Sequence, residues 1–342
     1  MARGAGCVYL RVEMRLLAAS LVVAALASGT LLFACSDAKH LGGLVVAIDG
    51  NLSVPGDIDA LGLAVNVGGT TKFSNVYGIA PAGKVTIPAT LLLEEPTDSS
   101  QSVTIRITGF SAGNARIVRD AITTVPHARV VLLTLHLSAL SFDDGVKGSI
   151  NPQEVDRISD PSVQTAGVRI RGTTNGGFDP FTQITSKCSL ASEQADIDGI
   201  CQSARVDSAT LPDAFSAQIV PSASELAACF DVAKCFDGAT PVMPHADCTF
   251  PFTGDAATLN VAIVTGGAGF KTTAGPLAPL DQEPEHGFSV ANGIVSLPKG
   301  VCSLGSKAKG VVIGTKCPAK KPTTPIIGGG TACAASTFDA GG

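Results

Sequence analysis

Tryptophan is absent from the 342 residues, tyrosine occurs twice, and aromatic residues total 5%. Sugar-binding faces stack on exposed aromatic rings, so this scarcity weighs against a carbohydrate- or peptidoglycan-binding module. Charged residues stop at 15%, with a formal net charge of −5. Nucleic-acid recognition needs a basic face that neutralises phosphates, so no nucleic acid is expected as a partner. HExxH and a complete P-loop do not occur, and no catalytic residue is assigned. Cysteine is missing from residues 36–187, and no CxxC spacing occurs anywhere. That excludes the common zinc-ligand patterns, so neither metal nor cofactor is expected.

What remains is hydrophobic residues at 45%, with 38 glycines and 20 prolines to break them into short runs. This composition predicts an all-β protein. Leu61, Leu63, Val65 and Val67 alternate with small or polar residues, as do Val103, Ile105 and Ile107, and Leu133, Leu135 and Leu137. A period of two marks strands with one buried face. Further strands are predicted at 44–48, 71–77, 84–93 (broken at Pro88) and 116–123, separated by Gly68-Gly69, Pro81-Ala82-Gly83, Thr97-Asp98-Ser99 and Gly113-Asn114. Seven short strands over 42–140 predict an immunoglobulin-like or transthyretin-like sandwich without a disulfide. His136 falls on the polar face of its strand and is expected to be solvated. Asn51-Leu52-Ser53 matches a glycosylation sequon, read as chance.

Residues 141–187 are rich in Asp, Gly, Ser and Pro, with one strand predicted at 168–171, and read as a linker or the start of a second domain. Phe142-Asp143-Asp144-Gly145 lacks the later ligands of a calcium loop and reads as a turn. A cysteine-rich β domain is expected over 188–335, with strands at 259–265, 288–297 and 310–314. Ser222-x-x-Glu225 is a capping box ahead of one short helix. Cys188, Cys201, Cys229, Cys235, Cys248, Cys302, Cys317 and Cys333 form an even set and are expected to pair as disulfides, with 105 connectivities open. Val264-Thr265-Gly266-Gly267-Ala268-Gly269-Phe270 resembles the dinucleotide-binding turn of short-chain dehydrogenases. Thr272 stands where the third glycine belongs, and Pro276 and Pro279 follow instead of a helix, so a strand and glycine-rich loop is expected. His286, with Glu283 and Glu285, is expected in a solvated loop.

Arg15 precedes an uncharged apolar stretch from Leu16 to Phe33, and Leu32-Phe33-Ala34-Cys35 resembles the bacterial lipobox. The resemblance implies a signal peptide over 1–34 (with translation starting at Met14), lipidation of Cys35, and a tether over 35–41. It also implies a cell-envelope location on the outer membrane or the periplasmic face of the inner membrane, where disulfides persist. The layout, with Leu297-Pro298-x-x-Val301-Cys302 and the 315–320 segment, loosely resembles myxobacterial cell-envelope lipoproteins of unknown function. A flexible tail is expected over 336–342. The expected function is non-catalytic binding or scaffolding of an envelope protein or glycan at the membrane. The alternatives are a carbohydrate- or peptidoglycan-binding module and, less expected, an envelope hydrolase.

Overall fold

The computed structural model describes residues 42–79, 85–96, 98–151, 155, 179–215, 230–303, 307–322, 324, 326–327 and 336–338. The leader, Cys35, Cys229, Cys333, the capping box at Ser222–Glu225 and the strand expected at 168–171 lie outside them. The chain is all-β, and the segment 41–342 forms one compact unit.

The first seven strands are β1 (Gly43–Gly50), β2 (Ala60–Val67), β3 (Thr70–Gly78), β4 (Ala89–Glu94), β5 (Val103–Ser111), β6 (Asn114–Thr123) and β7 (Val130–Leu137). They follow the predicted alternation closely. One sheet runs β3-β2-β5-β6 and is antiparallel throughout. Its β2–β3 turn uses Gly68 and Gly69, and its β5–β6 turn Ala112 and Gly113, all at positive φ, the geometry tight hairpins require. In the other sheet β1 pairs antiparallel with β4 and parallel with β7. Leu44, Val46, Ile48, Leu133 and Leu135 meet Leu61, Leu63, Ile105 and Ile107 in one core.

The expectation of one buried face per strand needs correction. In β5, Arg106 and Thr108 are as buried as Ile105 and Ile107. The cause is the segment expected as a linker, whose described part folds back onto the outer face of β2-β5-β6. Its helix α1 (Pro180–Gln183) and Ile184 cover Ala60, Phe110 and Val118. The hairpin of β8 (Gln194–Ile197) and β9 (Ile200–Ser203) packs on Ile122. Arg106 survives burial because it is fully paired. It donates to both Asp120 carboxylate oxygens at 2.7 and 2.9 Å, and to the Pro180 and Ile184 carbonyls at 2.7 and 2.8 Å.

Beyond residue 230 the strands are short: β10 (Phe230–Asp231), β11 (Thr240–Val242), β12 (Thr249–Pro251), β13 (Asn260–Thr265), β14 (Phe270–Thr272), β15 (Gly275–Pro279), β16 (Ser289–Ala291), β17 (Ile294–Ser296), β18 (Ala308–Gly314), β19 (Ile326–Ile327) and β20 (Ser336–Phe338). Five form a sheet ordered β11-β18-β13-β15-β14. The single strand expected at 288–297 is a hairpin, β16–β17, because Asn292 and Gly293 adopt positive φ between its arms. Helices α2 (Val232–Cys235) and α3 (Lys299–Cys302) are single turns, and α2 is capped by Asp231. Bridges join Cys188 to Cys201, Cys235 to Cys317 and Cys248 to Cys302. The β20 strand, in the segment expected as a flexible tail, lies parallel to β4 at the sheet edge. The cysteine-free and cysteine-rich regions share a core: Leu259, Val261, Phe288, Val295 and Val311 belong to the same hydrophobic cluster as Leu44 and Ile105. Among the described residues, no helix is long and apolar enough to cross a membrane.

Candidate functional site

A cleft of about 1120 Å³ opens where the β1–β2 loop meets the glycine-rich turn between β13 and β14. The turn that resembles a nucleotide-binding loop is, as expected, a strand followed by a loop, and it leads into another short antiparallel strand. Its shape is fixed by Gly269, at φ +110, where a Cβ would stand 2.5 Å from the Leu277 carbonyl oxygen. The Gly269 N–H donates to Asp57 Oδ2 at 2.7 Å, and the same oxygen accepts from the Ser53 N–H at 2.7 Å. Asp57 therefore ties the two regions together at the floor of the cleft. Burial pushes its carboxyl pKa up, against the pull of those two donors. At Gly267 a Cβ would meet nothing within 4 Å, so the tip of the turn is open.

The lining carries Arg116, Lys271, Lys307 and Lys309 with Asp57, Asp143 and Asp231. Most of the acids are already engaged. Arg116 is bound to Asp143, which raises the guanidinium pKa, and it lies 4.8 Å over the Phe142 ring. Asp231 accepts from the Lys234 N–H. Lys307 donates to the Phe142 carbonyl, and burial lowers its pKa. Lys271 and Lys309 are exposed on the cleft wall. The surface thus offers ammonium groups and an open backbone turn to an anionic or strongly polar ligand. The Phe142 ring is covered by Arg116, so it presents no free stacking face on that side.

The histidines depart most from expectation. His136 is not solvated; it is 5% exposed. It faces Asp49, its partner in the β1–β7 register, with Nδ1 2.8 Å from Asp49 Oδ1. Burial acts to strip its proton, but Asp49, with Asp198 and Asp281 behind it, outweighs that and holds the pKa up to about 9. Nor does His286 point into solvent. Its ring stacks on His136 at 5.8 Å and 10°, with Nδ1 3.6 Å from Asp198 Oδ2. Glu283 turns inward on its own loop and accepts from the His286 and Glu285 backbone N–H groups. Both misplacements share one cause: residues 281–286 and Lys320 cover this polar face of the β1–β7 pair.

Asn51, the sequon residue, is fully buried, and its Oδ1 accepts from the Ala139 N–H at 2.7 Å, a structural role. Gly109-Phe110-Ser111-Ala112-Gly113 matches GxSxG. Ser111 ends β5 at a hairpin instead of a strand-to-helix elbow, so the match lacks the geometry that exposes a nucleophile. The six described cysteines are all in disulfides.

No family model, curated protein or solved structure matches this chain.

Proposed function

We propose that this protein is a lipid-anchored envelope protein that binds a ligand without transforming it, using the cleft beside Gly267 as its site. The cleft carries the reading: it is large enough for a small organic ligand, and it sets Lys271 and Lys309 beside an open turn. Two further features support the location. Leu32-Phe33-Ala34-Cys35 resembles a lipobox, and three disulfides suit an oxidising compartment. The ligand class that fits is an anionic envelope component, a carboxylate- or phosphate-bearing glycan or an acidic peptide segment.

Two measurements test this. Cys35→Ser should leave the precursor uncleaved and without acyl chains, and normal membrane retention of that variant would refute the anchor. An array of anionic and neutral envelope glycans and acidic peptides, probed with the wild type and a Lys271→Glu/Lys309→Glu variant, tests the cleft. Binding should favour anionic members, fall with salt and be lost in the variant. Binding that survives the double charge reversal would move the site elsewhere.

A further inference from the structure

The seam between the two regions holds a second cluster, far more enclosed than the cleft. Asp49 from β1, His136 from β7 and Asp281 after β15 each offer a ligand atom, and these atoms lie within 4.8 Å of one another. All three residues are buried, at 8%, 5% and 4% exposure. Asp198, at the tip of the β8–β9 hairpin, and His286 flank them, and Lys320 is bound to Asp281. Three carboxylates thus converge where water is excluded, which is costly unless positive charge is drawn in.

The state of His136 makes the cluster more than an acidic patch. Its Nδ1 is engaged by Asp49, while Nε2 is buried and has no hydrogen-bond partner among the described residues. His136 Nδ1 and Asp49 Oδ1 stand 2.8 Å apart, close to the separation of two ligands on one cation, so a cation shared with Asp49 sits on the Nδ1 side of the ring. We propose that Asp49, His136 and Asp281 hold a divalent transition-metal cation that clamps the β1–β7 edge of the sandwich to the cysteine-rich region. One imidazole and two carboxylates select a borderline cation such as zinc over calcium, which takes six to eight oxygens. On binding, the cation takes the Nδ1 lone pair, the proton held between Nδ1 and Asp49 leaves to solvent while Nε2 keeps its own, and the Lys320 ammonium gives way at Asp281. The residues come from strands and loops far apart in sequence with no CxxC or HExxH spacing, so no sequence motif marks the site.

The test uses the full chain, purified in detergent without a chelating tag, stripped with chelator and titrated with zinc chloride by calorimetry. Cobalt(II) serves in parallel as a spectroscopic probe. We expect about one equivalent of zinc per chain, a visible cobalt absorption band displaced by zinc, and no displacement by equimolar calcium. His136→Gln and Asp281→Asn should each weaken zinc by more than about 100-fold, beyond the range for loss of an outer-shell partner. Because both variants alter buried positions and so perturb folding, Lys320→Met is the second probe. Removing the competing ammonium should tighten zinc by about 10-fold if Asp281 is a ligand. Absence of stoichiometric zinc and of the cobalt band in the wild type would overturn the site. So would unchanged affinity in Lys320→Met, which would mark the cluster as an ion network only.

Discussion

The cysteine-free strands β1, β2, β3, β4, β5, β6 and β7 run six to ten residues, whereas those from β8 to β19 run two to seven. The first group alternates well enough to bury two full sheet faces, and of its buried charges Arg106 is neutralised by Asp120. The second group has ladders too short to hold themselves, and three disulfides join what the ladders do not. The difference shows two ways of ordering a chain poor in large aromatics: long ladders around an aliphatic core, or short ladders held by covalent bridges. Neither region stands apart, because they share a hydrophobic cluster and the Asp57–Gly269 bond.

Removing the longest bridge should give one of the largest effects, and the bridges should rank by loop length. Cys235→Ser/Cys317→Ser opens an 82-residue separation and should cost about 4.5 kcal/mol on the chain-entropy model. Cys188→Ser/Cys201→Ser opens 13 and should cost about 3 kcal/mol. Urea denaturation of both variants checks the order, and equal losses would show that strain or residual structure governs this region. In the long-ladder region Asp120→Ala strands a buried guanidinium and should cost about 3–5 kcal/mol, while Arg106→Met/Asp120→Leu should recover most of it. Failure of the double variant to recover would mean that the pair orders the α1 segment as well as neutralising charge. At the seam, Asp57→Ala orphans two N–H donors and should cost about 1–3 kcal/mol, whereas Asp57→Asn keeps an acceptor and should stay close to the wild type. Thermal unfolding separates the two. Asp237→Ala, which removes a surface partner of Lys316, should leave the midpoint unchanged.

Period-two alternation made the strands legible, so β1, β2, β5 and β7 are found where Leu44, Leu61, Val103 and Leu133 place them. It could not show what lies on the second face. Arg106 and Thr108 read as part of a solvated stripe, and the return of residues 180–184 helps make them interior. Asp49 and His136 were invisible for the same reason, since their covering comes from 281–286 and 320, more than a hundred residues later. Asn292-Gly293 is different: a hairpin signal was present in the dipeptide, and the apolar run across it obscured the turn. The cleft had a partial sequence signal in the glycine-rich turn, but Lys309 and Arg116 reach it only through sheet topology.

The register that sets Asp49 beside His136 also bears on the order of assembly. Strand β1 can acquire its β7 neighbour only across a separation of 87 positions in the chain, and the buried cluster gains Asp281 and Lys320 later still. Such remote closures form slowly. The polar knot at the seam is therefore a completion mark: a chain truncated before residue 320 lacks the lysine that neutralises Asp281. Such a chain would leave its oldest strand next to an uncompensated charge, a defect by which a partly made molecule differs from a finished one.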